Sequence, residues 1–260
     1  MRVVLIAGCV FFAASCGRLE FEPTPSDATT DAPTLDAVDA PVDSIFGSLA
    51  VGLVVRFPMD DDPRDGSRIV TAIPAQFSAP CVDTGARTCP SVSIGVLGAG
   101  GYGFDGTFRA VLGDFVSAAP YSVALWIKPA ITGGTVSPIG KEIDDATSLN
   151  EMAIRLSPTA VAFEGAVGGS VEDVTATINI IDAWHHVIVI WNGVDRILYI
   201  DGAEAARSTG TWMYSARPVG VGGDKDFGNL NLPYSGDMDD VRFYNRPLST
   251  IEAALLFALR

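Results

Sequence analysis

Short apolar or alternating runs recur along most of the chain, separated by breaks rich in glycine, proline, asparagine and aspartate. They cover Leu49 to Phe57, Ser91 to Leu97, Tyr121 to Lys128, Met152 to Ser157, Val161 to Phe163, Ala183 to Trp191, Arg196 to Ile200, Val219 to Val221 and Asp239 to Tyr244. Runs of this length and spacing predict the strands of an all-β sandwich or barrel. Trp184 to Trp191 and Arg196 to Ile200 are joined by Asn192-Gly193-Val194-Asp195, and the Asn-Gly step supplies the positive φ of a hairpin turn. Trp126, Trp184 and Trp191 lie inside these runs and read as core. One helix is expected near the end, where Ser249-Thr250-Ile251-Glu252 forms a capping box ahead of the apolar run from Ala253 to Leu259.

The start of the chain follows a different pattern. Met1 and Arg2 precede an apolar run from Val3 to Ala14, which ends in small residues and reads as a secretory signal, not a spanning helix. Ala13-Ala14-Ser15-Cys16 resembles a bacterial lipobox, although Ala13 stands where most lipoboxes carry leucine. The resemblance implies cleavage before Cys16 and lipidation of its thiol and new amino terminus, a durable anchor because each buried methylene adds about 0.8 kcal/mol. Gly17 follows instead of aspartate, which implies the outer membrane and display at the cell surface. From Gly17 to Ser44 there are four prolines and seven acidic residues against one basic residue, too little apolar surface to offset ordering. The expected organisation is a signal peptide at 1–15, a lipidated cysteine and acidic tether at 16–44, and one domain at 45–260.

With 260 residues and 48% hydrophobic content the chain has ample material for a packed core. A net charge of −14 and the lack of any basic stripe exclude a nucleic-acid partner, because that binding rests on lysine and arginine neutralising phosphates.

Over the domain the chain resembles the laminin-G-like and concanavalin A-like jelly rolls. The residues that carry the likeness are Leu53 to Asp60, Tyr102-Gly103-Phe104-Asp105-Gly106, Tyr121 to Pro129, Trp184-His185-His186-Val187, Leu198-Tyr199-Ile200-Asp201-Gly202 and Gly236 to Ser249, taken in order and spacing. The likeness implies a two-sheet antiparallel jelly-roll sandwich with one short C-terminal helix. It also implies a structural calcium held between the first and last strands by Asp60 and Asp239, with Arg56 or Arg242 as the alternative neutraliser of the two carboxylates. The run Asp60-Asp61-Asp62-Pro63-Arg64-Asp65-Gly66 is no EF-hand, since Pro63 and Ala72 stand where ligands belong.

Cys81 and Cys89 lie in a polar loop flanked by Pro80 and Pro90. With Cys9 lost in the signal and Cys16 lipidated, they are the pair left to form a disulfide in an exported protein. Closing so small a loop contributes roughly 2–3 kcal/mol. Catalytic signals are sparse. Glu142-Ile143-Asp144 opens a retaining-glycosidase pattern whose second glutamate is absent. The two histidines, His185 and His186, are adjacent on a strand and point to opposite faces. Exposed rings suited to sugar stacking are sought at Trp212, Tyr214, Phe227 and Tyr234, with Asn229 and Asn231 as polar neighbours. The expected function is a noncatalytic recognition or adhesion module for a glycan or surface protein. The rivals are a glycoside hydrolase of the same fold and a purely structural envelope lipoprotein.

Overall fold

Among the described residues the chain forms sixteen strands, most with one side turned into a shared core. The strands are β1 (Leu53–Phe57), β2 (Ser91–Ser93), β3 (Gly101–Asp105), β4 (Ala110–Val111), β5 (Tyr121–Pro129), β6 (Val136–Lys141), β7 (Ala153–Ser157) and β8 (Ala160–Val167), then β9 (Ser170–Thr177), β10 (His185–Trp191), β11 (Asp195–Ile200), β12 (Ala203–Thr209), β13 (Val219–Val221), β14 (Asp224–Asp226), β15 (Asn229–Asn231) and β16 (Ser235–Tyr244). Helix α1 (Thr250–Ala258) closes the chain. The structure, a computed structural model, describes residues 47–61, 83, 88–108, 110–111, 113, 120–141, 152–167, 170–210, 217–226 and 229–260.

The larger sheet runs β12-β11-β10-β5-β16-β3-β2, with β1 also paired to β16; the smaller runs β4-β13-β6-β7-β8-β9. Every pairing in both is antiparallel. Leu125, Ile127, Val187 and Val189 of the larger sheet share one core with Ile139, Ile154, Leu156 and Phe163 of the smaller, all fully buried. Each such side chain contributes roughly 1.5–3 kcal/mol. This is the expected all-β sandwich of two antiparallel sheets.

The opposite face of the larger sheet is covered by α1. Ala124, Ile188, Ile190 and Tyr199 form a second apolar cluster with Ala253 and Leu256 of the helix. The capping box is present: Ser249 Oγ accepts the Glu252 backbone N–H, and Glu252 Oε2 accepts the Ser249 N–H at 2.9 Å. Arg246 then forks onto both Glu252 oxygens at 2.9 and 2.6 Å.

The hairpin expected at Asn192-Gly193 forms, and a second follows it. Trp191 pairs with Arg196 across the Asn192 turn, with Gly193 at φ 96° and Asn192 Oδ1 accepting the Val194 and Asp195 N–H groups. Asp201 and Gly202, at φ 52° and 79°, give the two-residue connection of β11 to β12. One expected strand starts later than its apolar run. Residues 47–50 form a helical turn, and β1 begins at Leu53, because Arg246 claims the carbonyls of Ser48 and Val51 that a sheet partner would need. Ser91 to Leu97 shortens to β2, and the chain beyond it becomes a loop bound by carboxylates.

Candidate functional site

Strands β7, β8 and β9 turn Ile154, Leu156, Val161, Phe163, Val174 and Ala176 into the core. Side chains alternate across a strand, so the residues between them line the outer face of the smaller sheet. Arg155 and Ser157 come from β7, Ala160, Ala162 and Glu164 from β8, and Asp173 and Thr175 from β9. With Thr135 and Leu232 they line a cavity of about 620 Å³. Its form follows from side-chain length. Ala162 lies across from Arg155 on one side and Thr175 on the other, and Ala160 across from Ser157 and Thr177. Two alanines on the middle strand between longer neighbours make the floor of a trough.

Charge gathers at one end of this trough. Arg155 donates from Nε to Glu164 Oε2 at 3.2 Å and from Nη2 to Glu164 Oε1 at 2.9 Å, and its Nη2 also lies 2.9 Å from Asp224 Oδ2. Glu164 is in turn the cross-strand partner of Asp173. Burial works against the Arg155 charge, but the hydrogen bonds and charge of Glu164, with Asp224, hold its pKa above the ordinary value. Desolvation and then the Glu164 charge push the Asp173 carboxyl up. One Arg155 group, Nη1, is buried with no hydrogen-bond partner, in a side chain only 9% exposed. A buried donor left unpaired costs on the order of 1–3 kcal/mol.

The expected site residues are placed as follows. Tyr234 is no exposed ring: it is fully buried in the main core, edge-on to Phe104 at 5.7 Å, with its hydroxyl donating to the Asp237 carbonyl at 2.6 Å. The apolar environment of the sandwich captured a ring whose polar tip found a backbone acceptor. Asn229 lies on β15, paired with Asp226. Trp212, Tyr214, Phe227, Cys16, Cys81 and Glu142 lie outside the described residues. Cys89 is buried, and its N–H donates to Asp83 Oδ1 at 2.6 Å.

Asp60 and Asp239 are brought to one loop. Asp239 Oδ2 accepts the N–H groups of Val96 and Leu97 at 2.7 and 2.8 Å, and Asp60 Oδ1 accepts those of Ala99 and Gly100 at 2.6 and 3.1 Å. Each carboxylate therefore has one oxygen clasping the 96–100 backbone. Arg56 and Arg242, the alternative neutralisers, both turn to Asp240 instead. Asp240 sits at a bulge, φ 46°, where β16 shifts register against β5 between Asp239 and Arg242. Without it Asp240 would point inward; with it, Met238 and Val241 both reach the core. Burial pushes the Asp239 carboxyl up to about 6, against the pull of its two amide donors. Its Oδ1 is buried without a partner, which suits a cation, while among the described residues no three acidic, cysteine or histidine side chains converge. Asp239 Oδ1 and Asp60 would hold a calcium ion only with backbone carbonyls completing its shell, and the ion would supply charge neutralisation.

The histidines do part to opposite faces. His186 lies under α1, its ring 4.9 Å from Trp126 and 6.4 Å from Phe257. Burial, then the Arg242 charge, lower its pKa to about 3, so it is a neutral core residue. His185 meets Asp201 at 2.8 Å through Nδ1.

Arg155, Glu164 and Asp173 were not foreseen. Their trace in the sequence is the alternation of Glu164, Asp173 and Thr175 with Phe163, Val174 and Ala176, a period of two with a polar outer face.

A two-layer antiparallel sandwich with one short C-terminal helix is the architecture of a jelly roll, and the sequence agrees. Residues 92–254 match the Laminin_G_3 family model, described as the concanavalin A-like lectin/glucanases superfamily, and the chain belongs to that family. Among solved structures it is similar to domain 4 of AbnA, an extracellular arabinanase from Geobacillus stearothermophilus, in complex with arabinotriose. That match has a TM-score of 0.59 at 20% identity over 78% of this chain and 97% of the other. It is also similar to the binding domain of Paraclostridial Mosquitocidal Protein 1, with a TM-score of 0.51 at 16% identity over 66% of this chain and 46% of the other. A mutant NanB sialidase from Streptococcus pneumoniae gives a TM-score of 0.52 at 12% identity, over 59% of this chain and 27% of the sialidase. The chain thus spans less than half of the latter two proteins. A search of the curated proteins by sequence matches nothing.

Proposed function

We propose that this protein is a noncatalytic recognition module that holds a glycan in the trough of β7, β8 and β9. The observation that carries the reading is the trough itself, a cavity large enough for a short oligosaccharide with an alanine floor and with Arg155, Glu164 and Asp173 on its walls. Hydroxyls of Ser157, Thr175 and Thr135 and the carboxylate of Asp173 supply the further polar contacts. A structurally similar domain is described in complex with arabinotriose, which supports a sugar as ligand. The test is isothermal titration of the full-length chain with arabinotriose and other neutral trisaccharides, against Ala162→Trp. Saturable binding that falls roughly tenfold or more in the variant, with an unchanged melting temperature, supports the reading. Equal binding by both proteins, or none by the unaltered chain, overturns it.

The same reading includes export, a lipid anchor at Cys16 and an acidic tether at 17–44 that holds the domain off the membrane. It includes a Cys81–Cys89 disulfide, in keeping with a buried Cys89. It includes a structural calcium at Asp60 and Asp239, in keeping with the orphaned Asp239 oxygen.

One observation favours glycoside hydrolysis as a second reading: Glu164 and Asp173 are cross-strand carboxylates, and the pKa of Asp173 is raised. Against it, Arg155 occupies both Glu164 oxygens that a nucleophile would need. Release of reducing sugar by the purified chain, lost in Glu164→Gln, would establish this reading over the first.

A further inference from the structure

We infer that the trough prefers chains of free amino sugars over neutral chains of the same shape, because Asp173 is placed to pair with a sugar ammonium. This specificity rests on the glycan-binding reading above. The charges around the trough pair off and leave one over. Arg155 is held by Glu164 through two nitrogens and by Asp224 through one of them. Arg196, whose charge also reaches Asp173, is paired with Glu172 at 2.8 Å. Asp173 is exposed on the trough wall and forms no hydrogen bond or salt bridge among the described residues. Its cross-strand partner is Glu164, and like charges directly opposite one another destabilise a sheet. The raised pKa of Asp173 reflects the same imbalance, since desolvation and the Glu164 charge outweigh the pull of Arg155 and Arg196.

A ligand cation relieves this imbalance and a neutral hydroxyl does not. An ammonium at Asp173 makes a charge-assisted hydrogen bond, roughly twice as strong as one from a neutral donor, and offsets the repulsion from Glu164. Arg155 is a weak obstacle, since its charge is already met by two carboxylates and its side chain is only 9% exposed. A bare divalent ion fits poorly: calcium takes about six or more oxygens, and no three acidic, cysteine or histidine side chains converge among the described residues. The floor favours a ring. Ala162 lies opposite Thr175, which follows Asp173 by two residues on the same face of β9. One ring resting on the Ala162 methyl meets the Thr175 hydroxyl at one edge and brings its amine to Asp173. A flexible lysine peptide offers the charge without a rigid ring to fill that floor. The net charge of −14 adds a long-range field that draws cationic chains toward the protein.

The test is calorimetric titration of the full-length chain with the glucosamine trimer and with cellotriose, β-linked trimers that differ only in an amine or a hydroxyl on the second carbon of each ring. It is run at about pH 6, where the amines largely hold their protons, in low and high salt. The glucosamine trimer should bind roughly threefold to tenfold more tightly than cellotriose. High salt should narrow that ratio by screening the attraction. Asp173→Asn should bring the ratio close to one, a comparison within one protein that general loss of fold does not mimic. A glucosamine trimer that binds no more tightly than cellotriose, or a ratio that survives Asp173→Asn, overturns the specificity; if Ala162→Trp still abolishes binding at an unchanged melting temperature, the trough stands as the glycan site. Trilysine binding as tightly as the glucosamine trimer also overturns it, in favour of a basic peptide. Trimer binding that Ala162→Trp leaves intact overturns the trough as the site.

Discussion

His186 and Asp239 are both buried titratable groups, and their effects on stability run in opposite senses with pH. The His186 pKa falls from 6.5 unfolded to about 3 folded. Below 6.5 the unfolded chain takes a proton that the folded one refuses, so stability is lost as pH falls from about 6.5 toward 3. The Asp239 pKa rises from 3.8 to about 6, so the folded state keeps a proton that the unfolded state has released. That contribution is full below 3.8 and is lost as pH rises through 6. His186→Phe keeps the stack on Trp126 and Phe257 while removing the acid penalty. Relative to the unaltered protein it should gain roughly 2 kcal/mol between pH 7 and pH 5, read by urea unfolding at each pH. Asp239→Asn tests the calcium proposal: added calcium should raise the melting temperature of the unaltered chain and leave the variant unmoved.

At the level of elements, helix α1 and strand β16 depend on a few local devices. The nine-residue helix is short for independent stability, and it holds through its cap and through the apolar cluster it covers. Ser249→Ala removes the acceptor for the Glu252 N–H and should cost about 1 kcal/mol, seen as a melting temperature lower by about 2–4 °C. Glu252 reinforces the same joint. Burial opposes its charge, but the Arg246 fork and the Ser249 donors win and lower its pKa to about 2. The bulge at Asp240 shows a device of another kind, since one extra residue lets a strand carry two consecutive aspartates and still feed the core on both sides.

For the whole molecule, the outstanding question is where it resides. Among the described residues no helix is long and apolar enough to cross a membrane, so the proposed attachment rests on Cys16. Expressed in a bacterial host, the unaltered chain should partition with membranes, and Cys16→Ser should move most of it to the soluble exported fraction, read by fractionation and immunoblot. Peptide mapping of the same material without reductant should yield a Cys81–Cys89 linked fragment. Lipidation on Cys16 and its absence in the variant would appear in the same mass spectra.

Sequence alone determined the strands of a β sandwich or barrel, their turns and the C-terminal helix, because apolar period, turn residues and capping residues act over neighbours a few positions apart; the two-sheet jelly roll was implied only by the resemblance. The Asn192 turn and the Ser249 cap were legible for that reason. It also brought Asp60 and Asp239 together through family resemblance, without showing that backbone amides of residues 96–100 would occupy one oxygen of each. The trough was decided only by tertiary structure. Arg155, Glu164, Asp173 and Asp224 lie on separate strands, and sheet register alone makes neighbours of them. Tyr234 followed the same logic in reverse: its position between turns suggests a surface ring, and only the packing of two sheets gives it an interior to enter.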